Sequence, residues 1–262
     1  MHESKHYEGR IVLVTGGTRG IGRSIAEAYL EQGATVLVCG RQAPEQPIER
    51  AGREAVFFAV DVRDLEQVAA LFATISVRFG RLDILVNNAG GSPYMLAADA
   101  SPRLSASIIN LNLVAPLNMA QGAQALMNEQ EEGGVILFIG SVSALRPSPG
   151  TAAYGAAKAG VLSLVRSLAV EWAPKVRVVA VSPGLVLTEE SLQHYGDEDG
   201  LAAIGATIPA GRLAQPCEIA SACLFLTSSD AAYASGSNLV LDGGGERPAF
   251  LAAANTNVKR GA

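Results

Sequence analysis

The sequence predicts an α/β fold in which seven strands form a mostly parallel sheet with helices on both faces. Two observations carry this prediction. Short apolar runs alternate along the chain with longer segments whose apolar residues recur at helical spacing. Strands that are apolar throughout and separated by helices are typical of a parallel sheet buried on both sides, with right-handed crossovers. A length of 262 residues fits a single domain of this kind spanning 1–262.

Each strand is predicted from a continuous apolar run. The first three runs are IVLV at 11–14, TVLVC at 35–39 and AVFFAV at 55–60. Four more runs predict strands at 82–86, 135–139, 176–181 and 237–241. Pro44 and Pro47 separate the second run from the third, so any helix within 42–53 is expected to be short or broken.

Helices are predicted where the apolar period is longer. The segments are 21–32, 64–79, 102–128, 152–172 and 216–228. The fourth is rich in alanine and ends near Pro174, while Pro216 stands in the first turn of the last, where proline is favoured. The segment 188–210 is polar and acidic and predicts a loop that acts as a mobile lid. The tail 246–262 has no clear period.

Composition excludes several classes of function. The net charge of −5 offers no excess of positive charge to neutralise phosphates, which argues against a nucleic-acid partner. No stretch reaches the roughly 18 apolar residues that would predict a membrane span, and the polar amino terminus has no apolar signal core. The three cysteines are odd in number without a Cys-x-x-Cys pair, which predicts free thiols in the cytoplasm. The scattered histidines predict no metal site.

A glycine-rich turn follows the first strand directly. Gly16, Gly20 and Gly22 open the next helix with the pattern Gly-x-x-x-Gly-x-Gly. Glycine permits the sharp turn and lets a pyrophosphate approach the backbone, and the helix amino end offers N–H groups and a positive dipole. The turn therefore predicts a dinucleotide site.

The end of the second strand favours NADP(H) over NAD(H). A site for NAD(H) usually carries an acidic residue there, whereas this chain has Gly40 followed by Arg41. Arg19 in the glycine turn is expected to reach the same place. Guanidinium groups bind a 2′-phosphate with charge-assisted, often bidentate hydrogen bonds.

A second group of residues predicts acid–base chemistry. Tyr154 and Lys158 are four residues apart and share one face of the alanine-rich helix, and Ser141 ends the fifth strand. An ammonium beside a phenol favours the phenolate and lowers the pKa of the tyrosine, which can then exchange a proton with a carbonyl or alcohol oxygen.

These motifs together resemble the short-chain dehydrogenase/reductase family, of the NADP(H)-preferring type. The resemblance covers about residues 9 to 244. Its remaining motifs are Asp61-Val62, Asn87-Asn88-Ala89-Gly90, Asn112, Pro183-Gly184 with Thr188, and Asp242-Gly243-Gly244. The resemblance implies a Rossmann-like doubly wound sheet with strand order 3-2-1-4-5-6-7.

The resemblance also implies a role for each matching residue. Tyr154 would be the general acid or base, Lys158 would lower its pKa and bind the nicotinamide ribose, and Ser141 would orient the substrate oxygen. Asn112 would bend its helix locally and hold a water that links Lys158 to a proton relay. Asp61 and Val62 would contact the adenine. The cofactor-binding set implied by the motifs is Gly16, Thr18, Arg19, Gly20, Ile21, Gly22, Arg41, Asp61, Val62, Asn88, Ala89, Gly90, Tyr154, Lys158, Pro183, Gly184, Val186 and Thr188.

The substrate is predicted to be a small hydrophobic ketone, aldehyde or secondary alcohol. The expected pocket is mostly apolar, with Arg146 as the one basic residue in its wall, and its candidate residues are Tyr94, Ser143, Leu145, Leu185, Leu192 and Tyr195. An alternative role for Ser143 is a loop hydroxyl bonded to the backbone.

Two other functions stay open at this point. One is reduction of a 3-oxoacyl group on acyl carrier protein or coenzyme A. The glutamates of the turn 128–134 argue against the carrier-protein form, because an acidic partner needs a basic patch for steering. The other is a non-catalytic NADP(H) sensor.

The resemblance further implies a homotetramer, with a dimer as the alternative, built on the helices 102–128 and 152–172 and on the last strand.

Overall fold

The computed structural model describes residues 7–189, 191 and 196–250. Its centre is a sheet of seven strands in which every neighbouring pair is parallel. The strands are β1 (Ile11–Thr15), β2 (Thr35–Gly40), β5 (Val56–Ala59), β6 (Ile84–Asn87), β7 (Gly134–Ile139), β8 (Val176–Pro183) and β9 (Asn238–Leu241). They lie in the order β5-β2-β1-β6-β7-β8-β9. With the strands numbered as in the sequence prediction, this is 3-2-1-4-5-6-7, so the predicted fold is confirmed.

Helices cover both faces of this sheet. They are α1 (Gly20–Glu31), α2 (Leu65–Phe79), α3 (Pro102–Ile109), α4 (Ala115–Glu129), α5 (Ala152–Glu171), α6 (Glu198–Thr207) and α7 (Pro216–Thr227). Helices α1 and α7 pack on one face, and α2, α4 and α5 pack on the other. No helix in the described ranges is long and apolar enough to cross a bilayer.

The two faces bury separate apolar cores, as the alternation of side chains along β1 shows. Leu13 belongs to the core beneath α2, α4 and α5, whereas Val12 and Val14 belong to the core beneath α1 and α7. Successive residues of a strand point to opposite faces, so a strand buried on both faces must be apolar at every position. This is why the strands appear in the sequence as continuous apolar runs.

Residues 42–53 contain no helix, in agreement with the two prolines; β3 (Glu49–Arg50) and β4 (Arg53–Glu54) form an antiparallel hairpin whose turn, Ala51 and Gly52, has positive φ at both positions. Two sequence predictions need correction. The predicted helix 102–128 is two helices joined by a π turn at Asn110–Val114. The predicted loop 188–210 contains α6, whose first turn is capped by Asp197.

The acidic residues of the 188–210 segment explain that last error. The carboxylate of Asp197 accepts a hydrogen bond from the main-chain N–H of Gly200 at 3.0 Å, and Glu198 and Asp199 stand at the positive end of the helix dipole. The cluster that predicted a solvated loop is therefore the amino-terminal signal of a helix.

Candidate active site

The main cleft opens at the carboxyl ends of the parallel strands, where α/β sheets of this type place their ligands. It has a volume of about 1100 Å³. Every residue of the cofactor-binding set predicted from the sequence lines it, from Gly16 in the turn after β1 to Thr188 beyond β8. The candidate acid–base residues Ser141, Tyr154 and Lys158 line it as well. The topology thus brings together residues that are separated by up to about 170 positions in the sequence.

The glycine positions of the turn have backbone angles or contacts that exclude other residues. Gly16 has φ +61° and Gly20 has φ +53°, values that other residues rarely adopt. A Cβ on Gly22 would lie 2.2 Å from the main-chain oxygen of Gly16, and a Cβ on Gly17 would lie 2.7 Å from Cγ1 of Val38. The turn and the start of α1 therefore require glycine for close backbone packing.

The amino end of α1 is uncapped, unlike those of α2 and α3. Asp64 caps α2 and Ser101 caps α3 through side-chain oxygens. No side-chain cap serves α1, whose first turn carries no acidic residue. Its N–H groups and its positive dipole thus face the main cleft, an arrangement that fits the phosphates of a dinucleotide.

Thr15 and Asn88 fix the glycine turn to the next strand of the sheet. The Thr15 hydroxyl accepts hydrogen bonds from the main-chain N–H groups of Asn88 at 3.0 Å and Ala89 at 2.9 Å. The Asn88 side-chain amide donates to the main-chain oxygens of Thr15 at 2.9 Å and Gly16 at 3.1 Å. These bonds hold β1 and β6 in register where the two strands end.

The far end of the main cleft, beside β2 and β5, is rich in arginine. Arg19 and Arg41, both predicted, line it together with Arg63, which sequence reasoning missed. Arg63 donates hydrogen bonds to both oxygens of Asp61, at 2.9 and 2.6 Å. These bonds, with a smaller attraction from Arg41, lower the pKa of Asp61 to about 2. The short Asp-x-Arg spacing could have indicated this pair in the sequence.

Lys158 lies at the floor of the cleft and is almost fully buried, with 4% of its surface exposed. Its Nζ donates a hydrogen bond of 2.7 Å to the main-chain oxygen of Ile139 at the end of β7. The same nitrogen lies 5.6 Å from the centre of the Tyr154 ring, one turn earlier on α5. Burial lowers the pKa of Lys158 to about 8. A cation next to the phenol is the arrangement that acid–base chemistry by a tyrosine needs.

Asn112 is fully buried in the π turn and does not line the cleft. Its side-chain amide donates to the main-chain oxygens of Ile108 and Gly91, both at 2.9 Å, and its Oδ1 accepts from the N–H of Gly91 at 2.9 Å. A Cβ on Gly90 would lie 2.6 Å from that oxygen and 3.5 Å from Nζ of Lys158. Asn112 therefore fixes the backbone that covers Lys158.

Ser141 follows β7 and faces the cleft, whereas Ser143 lines neither the main cleft nor the smaller cavity described next. The Ser141 hydroxyl accepts a hydrogen bond from the main-chain N–H of Ser143 at 3.1 Å. Its own proton remains available in this geometry to donate to a substrate oxygen. The position of Ser143 favours a structural role in the short turn Val142–Ala144 over a place in the pocket wall.

A smaller cavity, called here the side cavity, adjoins the main cleft at Gly184. Its volume is about 380 Å³, and Leu145 and Leu185 from the predicted substrate set line it. Tyr94 does not line it; its ring packs against Gly150, where an added Cβ would lie 2.1 Å away. Leu192 and Tyr195 lie outside the described residues.

The acidic turn 128–134 lies at the amino end of β7, whereas Ser141 follows the carboxyl end of that strand. Glu132 forms ion pairs there with Arg10 and Arg81. The charges of this turn therefore act at the edge of the sheet opposite the main cleft.

Within the described ranges, no group of histidine, cysteine or carboxylate side chains has the geometry of a metal site.

Comparison with known proteins identifies relatives over most of the chain. The family model described as Enoyl-(Acyl carrier protein) reductase matches residues 16–246. The 3-oxoacyl-[acyl-carrier-protein] reductase FabG of Vibrio harveyi is 39% identical over 240 residues, which cover 90% of this chain and 97% of that protein. An uncharacterized short-chain type dehydrogenase/reductase of Sinorhizobium fredii is 36% identical over 252 residues, 93% of this chain and 45% of that longer protein.

A solved structure matches equally well. It is a putative short-chain alcohol dehydrogenase from Sinorhizobium meliloti, 38% identical, with a TM-score of 0.86. The match covers 92% of this chain and 98% of that structure.

Proposed function

The chain belongs to the short-chain dehydrogenase/reductase family and is an oxidoreductase of that class, and on this premise we propose that it interconverts a ketone or aldehyde and a secondary alcohol with NADP(H). The observation that carries the proposal is the position of Lys158. A buried ammonium lies beside the Tyr154 ring and in the same cleft as Ser141 and the glycine turn.

The chain's own residues supply binding and proton transfer. When bound, the nicotinamide cofactor supplies or accepts the hydride. In the reducing direction, Ser141 donates a hydrogen bond to the substrate carbonyl oxygen and Tyr154 donates its phenolic proton to the same oxygen. The Lys158 ammonium stabilises the resulting phenolate by its charge. In the oxidising direction Tyr154 accepts the proton of the alcohol.

The preference for NADP(H) rests on charge at the far end of the cleft. Arg19 and Arg41 line that end, and Asp61 is engaged by Arg63. Two guanidinium groups match a 2′-phosphate in charge and geometry. NAD(H), which has a hydroxyl at this place, gains nothing comparable from them.

The side cavity suits the apolar part of a substrate whose carbonyl lies at Ser141. Val142, Leu145, Leu185 and Ile208 line it, with Arg146 and Glu246 at its polar side joined by an ion pair of 2.8 Å. A small hydrophobic carbonyl compound fits this lining best.

Reduction of a 3-oxoacyl thioester, on acyl carrier protein or coenzyme A, is the second candidate. It is favoured by the 39% identity to a protein named as a 3-oxoacyl-[acyl-carrier-protein] reductase. The acidic turn does not argue against it, because that turn lies at the edge opposite the cleft. A sensor without turnover is disfavoured, since such a protein has no need of Ser141, Tyr154 and Lys158 in one cleft.

We also infer a cytoplasmic homotetramer, with a dimer as the alternative. All three cysteines are free thiols, which suits a reducing compartment. Exposed apolar side chains suit subunit contacts; among them are Ile109 and Val114 near the start of α4 and Val240 on the edge strand β9. Light scattering on the purified protein would give the mass of the assembly.

The proposed function is tested by following oxidation of NADPH and NADH across a panel of carbonyl compounds. The panel contains a 3-oxoacyl thioester, an aromatic ketone, a cyclic ketone, a diketone and a steroid. We expect turnover with NADPH on an apolar ketone. Turnover confined to the thioester would establish the second candidate, and tight NADPH binding with no turnover on any compound would support the sensor.

A further inference from the structure

The side cavity is lined by three charged side chains, those of Arg146, Asp242 and Glu246. Its other lining residues are apolar, glycine or threonine. Within the part of the chain that the structure describes, Arg146 is therefore the only cationic group in this lining, and two carboxylates stand against it. An anionic group in the side cavity would be attracted by Arg146 alone and repelled by both carboxylates.

The guanidinium of Arg146 is already occupied by groups of the protein. Its Nη2 lies 2.8 Å from Oε1 of Glu246. Its Nη1 donates a hydrogen bond of 3.0 Å to the main-chain oxygen of Pro147. The Arg146 side chain is 33% exposed and the Glu246 side chain 56% exposed, so the pair contributes little to the stability of the fold. What the pair does is to occupy the one cation of the side cavity.

Arg146 comes to this place through the turn that follows Ser141. In that turn the main-chain N–H of Leu145 donates to the main-chain oxygen of Val142 at 2.9 Å. Ser141 faces the main cleft, whereas Val142, Leu145 and Arg146 line the side cavity. The part of a substrate that extends from a carbonyl at Ser141 into the side cavity therefore extends towards Arg146.

Glu246 is held by the turn that follows β9. The main-chain N–H of Gly184, which lines both spaces, donates to the main-chain oxygen of Leu241 at 2.8 Å. The turn packs closely on the segment after α6, since a Cβ on Gly243 would lie 2.8 Å from Cγ2 of Ile208. These contacts fix the backbone that carries Glu246 to the wall of the side cavity.

We propose that Glu246 is a specificity-determining residue that restricts the side cavity to uncharged groups by occupying the Arg146 guanidinium. The inference rests on the proposed function, in which the substrate carbonyl lies at Ser141. A carboxylate at the far end of the substrate would have to displace Glu246, whose charge would then repel it. A neutral end group meets no such cost. The substrate class that follows is ketones, aldehydes and alcohols without an anion remote from the reacting carbon.

The test uses two ketones that differ only in the group remote from the carbonyl, 7-oxooctanoate and 7-oxooctanamide. Carboxylate and amide have nearly the same shape, so the side cavity meets a difference in charge. Binding to the protein with NADP+ is followed by ligand-observed NMR, because the oxidised cofactor has no hydride to give and both ketones stay intact.

The ratio of the dissociation constants, carboxylate over amide, is determined for the wild type, Glu246→Gln, Arg146→Gln and the double variant. Glu218→Gln is the matched control. Glu218 pairs with Arg212 at 2.7 Å and lines neither the main cleft nor the side cavity.

We expect the wild type to bind the amide more tightly than the carboxylate. Glu246→Gln should lower the ratio roughly tenfold, the size of one charge-assisted contact with the released guanidinium. Arg146→Gln should raise the ratio, because only carboxylates then remain in the lining. The double variant should return to within about threefold of the wild type, since the gain in Glu246→Gln requires the guanidinium. Glu218→Gln should leave the ratio unchanged.

Four results would overturn the inference. A wild type that prefers the carboxylate would mean that Arg146 binds anions despite Glu246. A lowered ratio in Glu246→Gln that persists in the double variant would mean that the guanidinium is not the group released. An unchanged ratio in Glu246→Gln, with or without an equal change in the affinity for both probes, would leave Glu246 no role in selecting charge. Absence of saturable binding of either probe to the wild type would remove the side cavity as a substrate site.

Failure of the proposed function gives a different result. The binding ratios need no turnover, so they report on Glu246 and Arg146 alone. If the ratios follow the expected pattern but neither ketone is reduced when NADPH or NADH replaces NADP+, the charge selection is supported and the proposed carbonyl reduction is contradicted.

Discussion

The ammonium nitrogen of Lys158 donates a hydrogen bond of 2.7 Å to the main-chain oxygen of Ile139. Ile139 is the last residue of β7, and Ser141 follows two positions later. The bond therefore ties the second turn of α5 to the carboxyl end of the strand that positions Ser141. It also gives the buried ammonium a polar partner while leaving its charge next to the Tyr154 ring.

Tyr154→Phe should lower kcat by roughly a hundredfold to ten-thousandfold, the usual contribution of a general acid or base. The phenyl ring preserves the packing but has no proton to transfer. NADPH affinity, followed by fluorescence, should change by less than about twofold, since the variant removes one hydroxyl group. Tyr233→Phe is the control, because the Tyr233 side chain is fully exposed and does not line the cleft. Near-normal turnover by Tyr154→Phe would refute the assigned role.

Arg41→Ala should weaken NADPH binding by about tenfold or more while changing NADH binding little. The reason is that the guanidinium is expected to contact the 2′-phosphate, which NADH does not have. Fluorescence titration with both nucleotides measures the difference. Arg50→Ala serves as the control, since Arg50 pairs with Glu27 and does not line the cleft. Equal effects of Arg41→Ala on the two nucleotides would contradict a phosphate contact.

Thr15→Val should lower the free energy of unfolding by about 2 kcal/mol, because two partly buried main-chain N–H groups lose their acceptor while the shape of the side chain is kept. Nucleotide affinity should fall with it, since these bonds hold the glycine turn against β6. Urea unfolding gives the first quantity and fluorescence titration the second. Thr74→Val, at an exposed position on α2, should change neither. Wild-type stability in Thr15→Val would mean that these bonds contribute little.

Replacing Lys158 by methionine should change how stability depends on pH. Burial lowers the pKa of Lys158 to about 8 in the folded protein, below its ordinary value of 10.5. Between these two values the unfolded chain therefore binds more protons at Lys158 than the folded chain does. The contribution of Lys158 to the free energy of unfolding consequently rises as the pH increases from about 8 to 10.5 and falls as the pH decreases over the same range. The Lys158→Met variant lacks this pH-dependent contribution to the free energy of unfolding.

Urea unfolding of the wild type and of Lys158→Met at pH 8, 9 and 10 measures the contribution of Lys158 to the free energy of unfolding. The free energy of unfolding of the wild type, relative to Lys158→Met, should increase across the series by an amount on the order of 2 kcal/mol. A difference that stays constant, or that shrinks as the pH rises, would show that the pKa of Lys158 is not lowered in the folded protein.

The sequence predicted the parallel sheet and the glycine turn that lines the main cleft, because both depend on local patterns. A strand buried on both faces must be apolar throughout, as β1 is, and a backbone turn that approaches a phosphate must contain glycine, as at Gly16 and Gly22. Reliance on local patterns also explains the wrong prediction for the segment 188–210. The acidic residues at 197–199 fit both a solvated loop and a helix cap, and local composition does not distinguish the two.

The tertiary structure decided which side chains meet across the sequence. Asp61 and Arg63 line the same cleft as Arg19 and Arg41 because β1, β2 and β5 end side by side at one edge of the sheet. The same parallel register brings Ile139 beneath Lys158 and separates the acidic turn 128–134 from the cleft by the length of β7. Sequence alone determined which chemistry the chain carries, because that chemistry follows from residue types and local spacing. The distances between the site residues follow from the strand order, which is a property of the folded sheet. The burial and the charge balance of the site depend on those distances.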